Sequence, residues 1–264
     1  SEVMKVALLL ALARYFHGLA LDEVSRIRNL IIPLLLVVVP VGLVVKQPDL
    51  GTAILLTISG GTIFFAAGLA WRYFVIGGLA VLGAIPIIWE RLHDYQRNRV
   101  FTFLDPERDP LGAGYHILQS KIALGSGGLF GKGFMAGSQA HLNFLPEKQT
   151  DFIFTMLGEE LGFVGGIFLL ILYCLTLIVA FNTAMQCRNQ FGRLLAIGVA
   201  VSFFFYVFIN TAMVMGLLPV VGVPLPLVSY GGTAMLSLMF AFGLLQSCHI
   251  HRNLEIGRGS ATFL

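Results

Sequence analysis

Long charge-free apolar runs, separated by short polar clusters, organise the chain from end to end. Residues 30–45, 50–70, 73–89 and 161–181 contain no Asp, Glu, Lys or Arg, and each has about the 17 to 25 residues a helix needs to cross the hydrocarbon layer of a bilayer. Each therefore reads as one membrane span. Residues 194–248 are also free of acids and bases, but Pro219, Gly222, Pro224 and Pro226 interrupt them. Proline removes a backbone donor and clashes with the preceding turn, so this stretch is expected to form two helices joined by a cavity-lining or interfacial link. Residues 2–20 supply a seventh, shorter helix with Glu2, Lys5 and Arg14 near its ends. The expected fold is all-α: an integral membrane protein of about seven transmembrane helices, in a single polytopic domain over residues 1–264.

Composition agrees with that solvent, since 57% of residues are hydrophobic, only 12% are charged and 22 are Phe, far from a water-soluble average. Charge then orients the spans. With seven spans the connections alternate, and Arg14, Arg26, Arg28, Arg72, Arg188, Arg193, Arg252 and Arg258 fall on one side. The short connections of the other side offer Lys46, plus Lys5 at the chain start. Short loops rich in Lys and Arg stay cytoplasmic, so residues 90–150 are expected to form a large extracytoplasmic loop. Eleven of the 14 acids lie on or near that outer face: Glu2, Asp49, Glu90, Asp94, Asp105, Glu107, Asp109, Glu147, Asp151, Glu159 and Glu160. The three cysteines, Cys174 in a span and Cys187 and Cys248 at the reducing side, call for no disulfide. With no initiator Met, no signal sequence and a start inside a helix, the chain reads as a fragment.

Within the loop, DPERDPLGAG (105–114) is turn chemistry. YHILQSKIALG (115–125) places Ile117, Leu118, Ile122 and Leu124 on one helical side and His116, Gln119 and Ser120 on the other, the pattern of a short interfacial helix. GSGGLFGKG (125–133) superficially suggests a phosphate-binding loop, but Ser126 and Gly133 stand where Gly and Ser or Thr are needed. A flexible loop is the expectation.

Asp151 stands where the polar loop gives way to a span. As Asp or Thr oxygens accept orphan amide hydrogens, Asp151 or Thr150 could simply cap the helix. Glu159 and Glu160, about 12 Å further along at 1.5 Å per residue, add two acids that must face protein or a wet cavity. A polar pocket opening outward is implied. The same face carries Lys5, Lys46, Arg97, Arg99, Lys121, Lys132 and Lys148. Singly, such cations read as headgroup anchors; together with Asp151 they suit an anionic, lipid-linked substrate such as a pyrophosphate.

KQPDLGTA (46–53), HDYQRNRV (93–100), LDPERDPLGAGYHILQSKIALGSGGLFGKG (104–133), FLPEKQTDFIF (144–154), GEELG (158–162) and GLLPVVGVPLPLVSYGG (216–232) resemble the SEDS family of RodA- and FtsW-like bacterial cell-wall polymerases, and the elongation branch more than the division branch. The resemblance spans essentially the whole chain. It implies a peptidoglycan glycosyltransferase that polymerises lipid II at the outer, periplasmic face of the bacterial inner membrane during cell elongation. Its partners would be a class B penicillin-binding transpeptidase and other membrane proteins of the elongation complex, with no nucleic acid. Asp151 matches the essential acid of the family, and Glu2 with Lys5 match its Ser-Glu-x-x-Lys stretch. Members have ten spans, so about three are expected before Ser1. Lys148 and Gln149 stand where Arg-His or Ala-His is common, so this chain does not require a His there.

Such a reaction needs a base for the acceptor sugar hydroxyl, for which Asp151 is the candidate, and cationic donors for the departing pyrophosphate. Lys5, Arg97, Arg99 and Lys121 are candidates for that role. Ser229, beside Tyr230 and after the three prolines, would line the substrate cavity; tight helix-end packing is the competing reading of that segment. A divalent cation, Mg or Mn, held by Asp151 is the alternative to general-base chemistry, and no organic cofactor is expected. Two other function classes stay open: a flippase for lipid II, which would demand polar groups lining the cytoplasmic half too, where the spans show few, and a non-catalytic scaffold for a transpeptidase.

Overall fold

The computed structural model describes residues 1–47, 49–91, 94–105, 113–137 and 149–257. Lys148, Glu147, Glu107, Asp109 and Arg258, and most of the 105–114 turn, lie outside the described residues. Ten helices and no strand are present among the described residues: α1 (Glu2–His17), α2 (Leu21–Val24), α3 (Ile27–Lys46), α4 (Leu50–Ala66), α5 (Trp71–Arg91), α6 (Asp94–Leu104), α7 (Ala113–Ser126), α8 (Ile153–Gln186), α9 (Gln190–Val214) and α10 (Gly232–Ile250). By length and composition α3, α8, α9 and α10 can cross a membrane, while α4 and residues 71–86 are shorter apolar helices. Together with α1, these occupy the seven expected positions. The broken run resolves into α9 and α10, joined by residues 215–231.

The chain divides into two compact units. The first comprises residues 1–74, 175–205 and 232–264. Here α1 packs against α3, α4 and α10. Its interior is built from Leu8, Leu9, Leu12 and Phe16 of α1 with Leu56, Ile63 and Leu194. Along α3 the buried positions are Pro33, Val37, Pro40 and Val44, steps of four, three and four residues that trace one helical stripe. Ile31, Leu34, Leu35, Val38 and Leu43 remain exposed, as a lipid-facing surface requires.

Small residues let the helices of this unit approach closely, the usual device where lipid removes the hydrophobic drive between helices. A Cβ on Gly60 would stand 2.7 Å from Val37 Cγ2, and one on Gly198 would stand 2.7 Å from Leu9 Cδ2 and 2.8 Å from Ile63 Cδ1. The buried hydroxyl of Ser59 lies 2.8 Å from that of Ser202. Cys187 and Cys248 are free thiols.

The second unit comprises residues 75–174 and 206–231. In α7 the structure corrects the expected facing. Ile117, Ser120 and Ala123 form the buried stripe, while Ile122 is 53% exposed. The Ser120 hydroxyl donates to the Val214 carbonyl at 2.8 Å and lies 2.7 Å from Thr155 Oγ1. A buried hydroxyl with two partners is acceptable inside, so α7 turns a polar residue toward protein, contrary to a simple apolar-face-down arrangement.

Residues 125–133 are likewise not a flexible loop. Lys132 and Gly133 donate their backbone N–H groups to the Glu159 and Glu160 carbonyls, each at 3.0 Å. Phe163 and Val164 donate to the Gly128 and Leu129 carbonyls at 2.9 and 3.1 Å. These bonds meet α8 where Gly162 leaves helical geometry at φ 69° and ψ −166°, which frees backbone groups for the loop. Close approach here depends on glycine: a Cβ on Gly131 or on Gly127 would collide with the carbonyl oxygen of Glu160 or Gly158.

Gly198→Val should lower stability by about 1–3 kcal/mol, because it adds methyls to a filled contact. Gly61→Ala, where a Cβ meets nothing within 4 Å, should be neutral or raise stability by up to about 1 kcal/mol. Thermal unfolding in one detergent distinguishes the two; equal losses would contradict the packing described.

Candidate functional site

Asp151 precedes α8 in a turn. Thr155 and Met156 donate to the Phe152 carbonyl at 3.0 and 3.3 Å, so Phe152 holds the N-cap position and neither Asp151 nor Thr150 does. What fixes Asp151 is a set of bonds to three consecutive main-chain carbonyls. The Gln149 carbonyl accepts from the Tyr230 backbone N–H at 2.8 Å. The Thr150 carbonyl accepts from the Ser229 hydroxyl at 2.6 Å. The Asp151 carbonyl accepts from Asn210 Nδ2 at 2.9 Å.

The donors are themselves held. Asn210 Nδ2 also donates to the Val223 carbonyl at 2.7 Å, Ser229 Oγ accepts from the Leu225 N–H at 2.7 Å, and Tyr173 donates to the Pro226 carbonyl at 2.6 Å. The prolines thus do create carbonyls without helical partners, but protein side chains satisfy those of Val223 and Pro226. Helix-end packing, the competing reading of this segment, describes them better than cavity lining. Gly222, at φ +73°, lies so close that a Cβ there would be 3.5 Å from Asp151 Oδ2. Leu227, a non-glycine residue at φ 64°, adds backbone strain of a kind that clusters at functional sites.

Ser229, expected at the substrate cavity, therefore acts on the main chain beside Asp151. Asn210, which sequence reasoning missed, is the other pin; its signal was a lone carboxamide in an apolar span, which needs a partner there. Lys121 is exposed and lies over Gly216, where a Cβ would meet its Cε. Arg97 donates to the Glu90 carbonyl at 2.8 Å, and Arg99 is half-buried on the same helix, α6.

Glu159 is fully buried and pairs with Lys132 Nζ at 2.7 Å, the lysine being 30% exposed. The sequence placed Glu159 and Glu160 in an outward-opening pocket; the structure instead covers Glu159 with residues 131–137, Gly137 lying against its carboxylate. Lys132, read as a headgroup anchor, serves as its counter-ion. In the first unit Lys5, 5% exposed, pairs with Glu2 at 2.7 Å, and the Asp49 carboxylate is close enough to act on the same ammonium. Asp49 also caps α4, accepting from the Thr52 N–H at 3.0 Å. A buried lysine on an apolar helix is costly and marks a functional position by default. Among the described residues no three His, Cys, Asp or Glu side chains converge as a metal site. Asp151 alone suits Mg only in the mode where one carboxylate shares the ion with substrate phosphates and water.

A profile of the FtsW/RodA/SpoVE family, described as cell cycle protein, matches residues 1–254. The chain is 51% identical over 255 residues to the peptidoglycan glycosyltransferase MrdB of Escherichia coli K12, covering 96% of this chain and 68% of that relative. A solved chain from work on structural coordination of polymerization and crosslinking by a peptidoglycan synthase complex superposes with a TM-score of 0.80 at 34% identity, over 95% of this chain and 69% of the other. The rod shape determining protein RodA of Thermus thermophilus superposes with a TM-score of 0.64 at 29% identity, over 95% and 65%.

Removing Lys132 strands a carboxylate in the interior, whereas removing Glu159 leaves a lysine that can reach water. Lys132→Met should therefore cost more stability than Glu159→Gln, toward the 3–5 kcal/mol typical of a broken buried pair at about its upper end. The double variant should recover most of the loss. A double-mutant cycle on thermal unfolding measures this, and additive losses would show that the pair is not coupled.

Proposed function

This chain belongs to the FtsW/RodA/SpoVE family of cell cycle proteins, and from that premise we propose that it is a peptidoglycan glycosyltransferase with Asp151 as its essential acid. It is a multi-pass membrane protein. The finer reading is polymerisation of lipid II at the periplasmic face of the inner membrane during elongation, beside a class B penicillin-binding transpeptidase. The observation that carries the Asp151 assignment is the fixing of residues 149–151 through their main chain, which leaves the carboxylate half-exposed at a rigid position next to Gly222.

In this reaction the acceptor sugar hydroxyl forms a C–O bond to the anomeric carbon while the bond from that carbon to the lipid pyrophosphate breaks. The hydroxyl proton passes to the Asp151 carboxylate, and a positioned base of this kind contributes about 10²–10⁴-fold. The pyrophosphate leaves as an anion and is stabilised by fixed cations. Lys121, Arg97 and Arg99, in the unit that holds Asp151, are the residues for that task. A divalent cation, where one takes part, would be held by Asp151 with the pyrophosphate oxygens and would neutralise the leaving group.

Polymerisation of lipid II by purified full-length protein tests the assignment. Asp151→Asn should lose about 10²-fold or more in rate in protein that still folds, since the bonds to the 149–151 main chain do not involve the replaced atom. Normal glycan chains from that variant would leave the scaffold reading. Loss of transport of labelled lipid II across vesicles, with polymerisation intact, would favour the flippase. Chelation should reduce the rate only if a cation participates.

A further inference from the structure

The loop over residues 127–135 exposes large apolar side chains, with Phe130 at 81%, Phe134 at 82%, and Leu129 and Met135 also exposed. Its place is fixed by the backbone bonds to α8 described above, which join residues 128–133 to residues 159–164. On α8, Leu161, Phe163, Val164, Ile167 and Phe168 are exposed apolar residues at the start of a lipid-facing surface.

The length of α8 locates that start. Beyond the kink at Gly162 the helix runs from residue 163 to Gln186, about 36 Å, enough to cross the ~30 Å hydrocarbon core. The charge-free run 161–181 matches the core thickness, so the boundary on the side of Asp151 falls at residues 161–164. These are the rows to which the loop is hydrogen-bonded. The one ionisable group among residues 127–135, Lys132, does not oppose entry into a low-dielectric layer, because its ammonium pairs inward with Glu159 at 2.7 Å. Gly131 and Gly133, at φ 77° and 105°, turn the chain tightly enough to present Phe130 and Phe134 from one short segment.

We propose that residues 129–135 are a membrane-inserted anchor, with Phe130 and Phe134 seated at the headgroup and acyl-chain boundary of the leaflet on the side of Asp151. The occupant of this apolar patch is lipid, because the loop is hydrogen-bonded to α8 at Phe163 and Val164, where the exposed apolar residues of that helix begin. Phe and Leu are among the side chains that interfacial segments bury at the boundary of headgroups and acyl chains. The inference rests on the membrane topology and is independent of the glycosyltransferase reading.

Tryptophan fluorescence in the full-length protein tests it. With Trp71→Phe and Trp89→Phe removing both tryptophans of this chain, and any outside it replaced likewise, Phe134→Trp serves as a reporter in phosphatidylcholine vesicles. Phe130→Trp is a second reporter should the first fail to fold, and Val164→Trp the lipid-facing control. The expected result is a blue-shifted emission that acyl-brominated lipid quenches as strongly as it quenches the control, with little quenching by aqueous acrylamide. Acrylamide quenching without an effect of brominated lipid would place the loop in water. Insensitivity to both quenchers would place it under protein, and either outcome overturns the proposal.

Discussion

The place of Asp151 depends on hydrogen bonds to the main chain around it. Three successive carbonyls, of residues 149, 150 and 151, are each held by a donor from Tyr230, Ser229 or Asn210. A helix start is ordinarily a set of donors seeking acceptors; here the segment just before the helix presents acceptors, and a proline-rich link supplies or supports the donors. Because proline has no N–H, that link cannot close on itself as a helix. Its backbone must be satisfied from outside, and Asn210 and Tyr173 do so while tying it to the turn that carries Asp151. The break in the apolar run and the immobility of Asp151 are one arrangement seen from its two ends.

A similar exchange operates at the kink of α8. Gly162 interrupts the helical ladder, and residues 128–133 take up the freed groups through four backbone bonds. The glycines on both sides permit main chain to lie against main chain, at positions where a methyl group would overlap a carbonyl oxygen. Lys132 and Glu159 close the same contact with charge. The segment from residue 132 to residue 159, which includes Asp151, is thereby fastened at both its ends.

Much of the architecture was legible because it is local: a charge-free run of membrane length forms a span whatever it packs against, and the link at Pro219–Pro226 announced itself by its prolines. The start of α8 at Ile153 was legible to within two residues of Asp151; how Glu159 and Glu160 are accommodated inside it was not. They are accommodated because Lys132, 27 residues earlier, reaches Glu159, and no periodicity encodes that pairing. The same limit applies to the facing of α7. Ser120 looked like a surface residue until Thr155 and Val214, distant in sequence, proved to supply its partners. Asp151 was singled out by its place at the polar-to-apolar transition and by the family motif, while Asn210, which holds its main chain, carried only the weak signal of one carboxamide in a span.

The acids of this chain also divide by the atoms through which they act. Glu2 and Glu159 bind a lysine through their carboxylates, and Asp49 caps α4 with its carboxylate, so the charge or side-chain oxygen is itself the structural element. At Asp151 the bond to Asn210 runs through the main-chain carbonyl, which any amino acid would supply. The main chain at position 151 is therefore held by a bond that does not require an acid. Asn at this position would keep that bond, so exchanging the acid leaves the pinned main chain as it is.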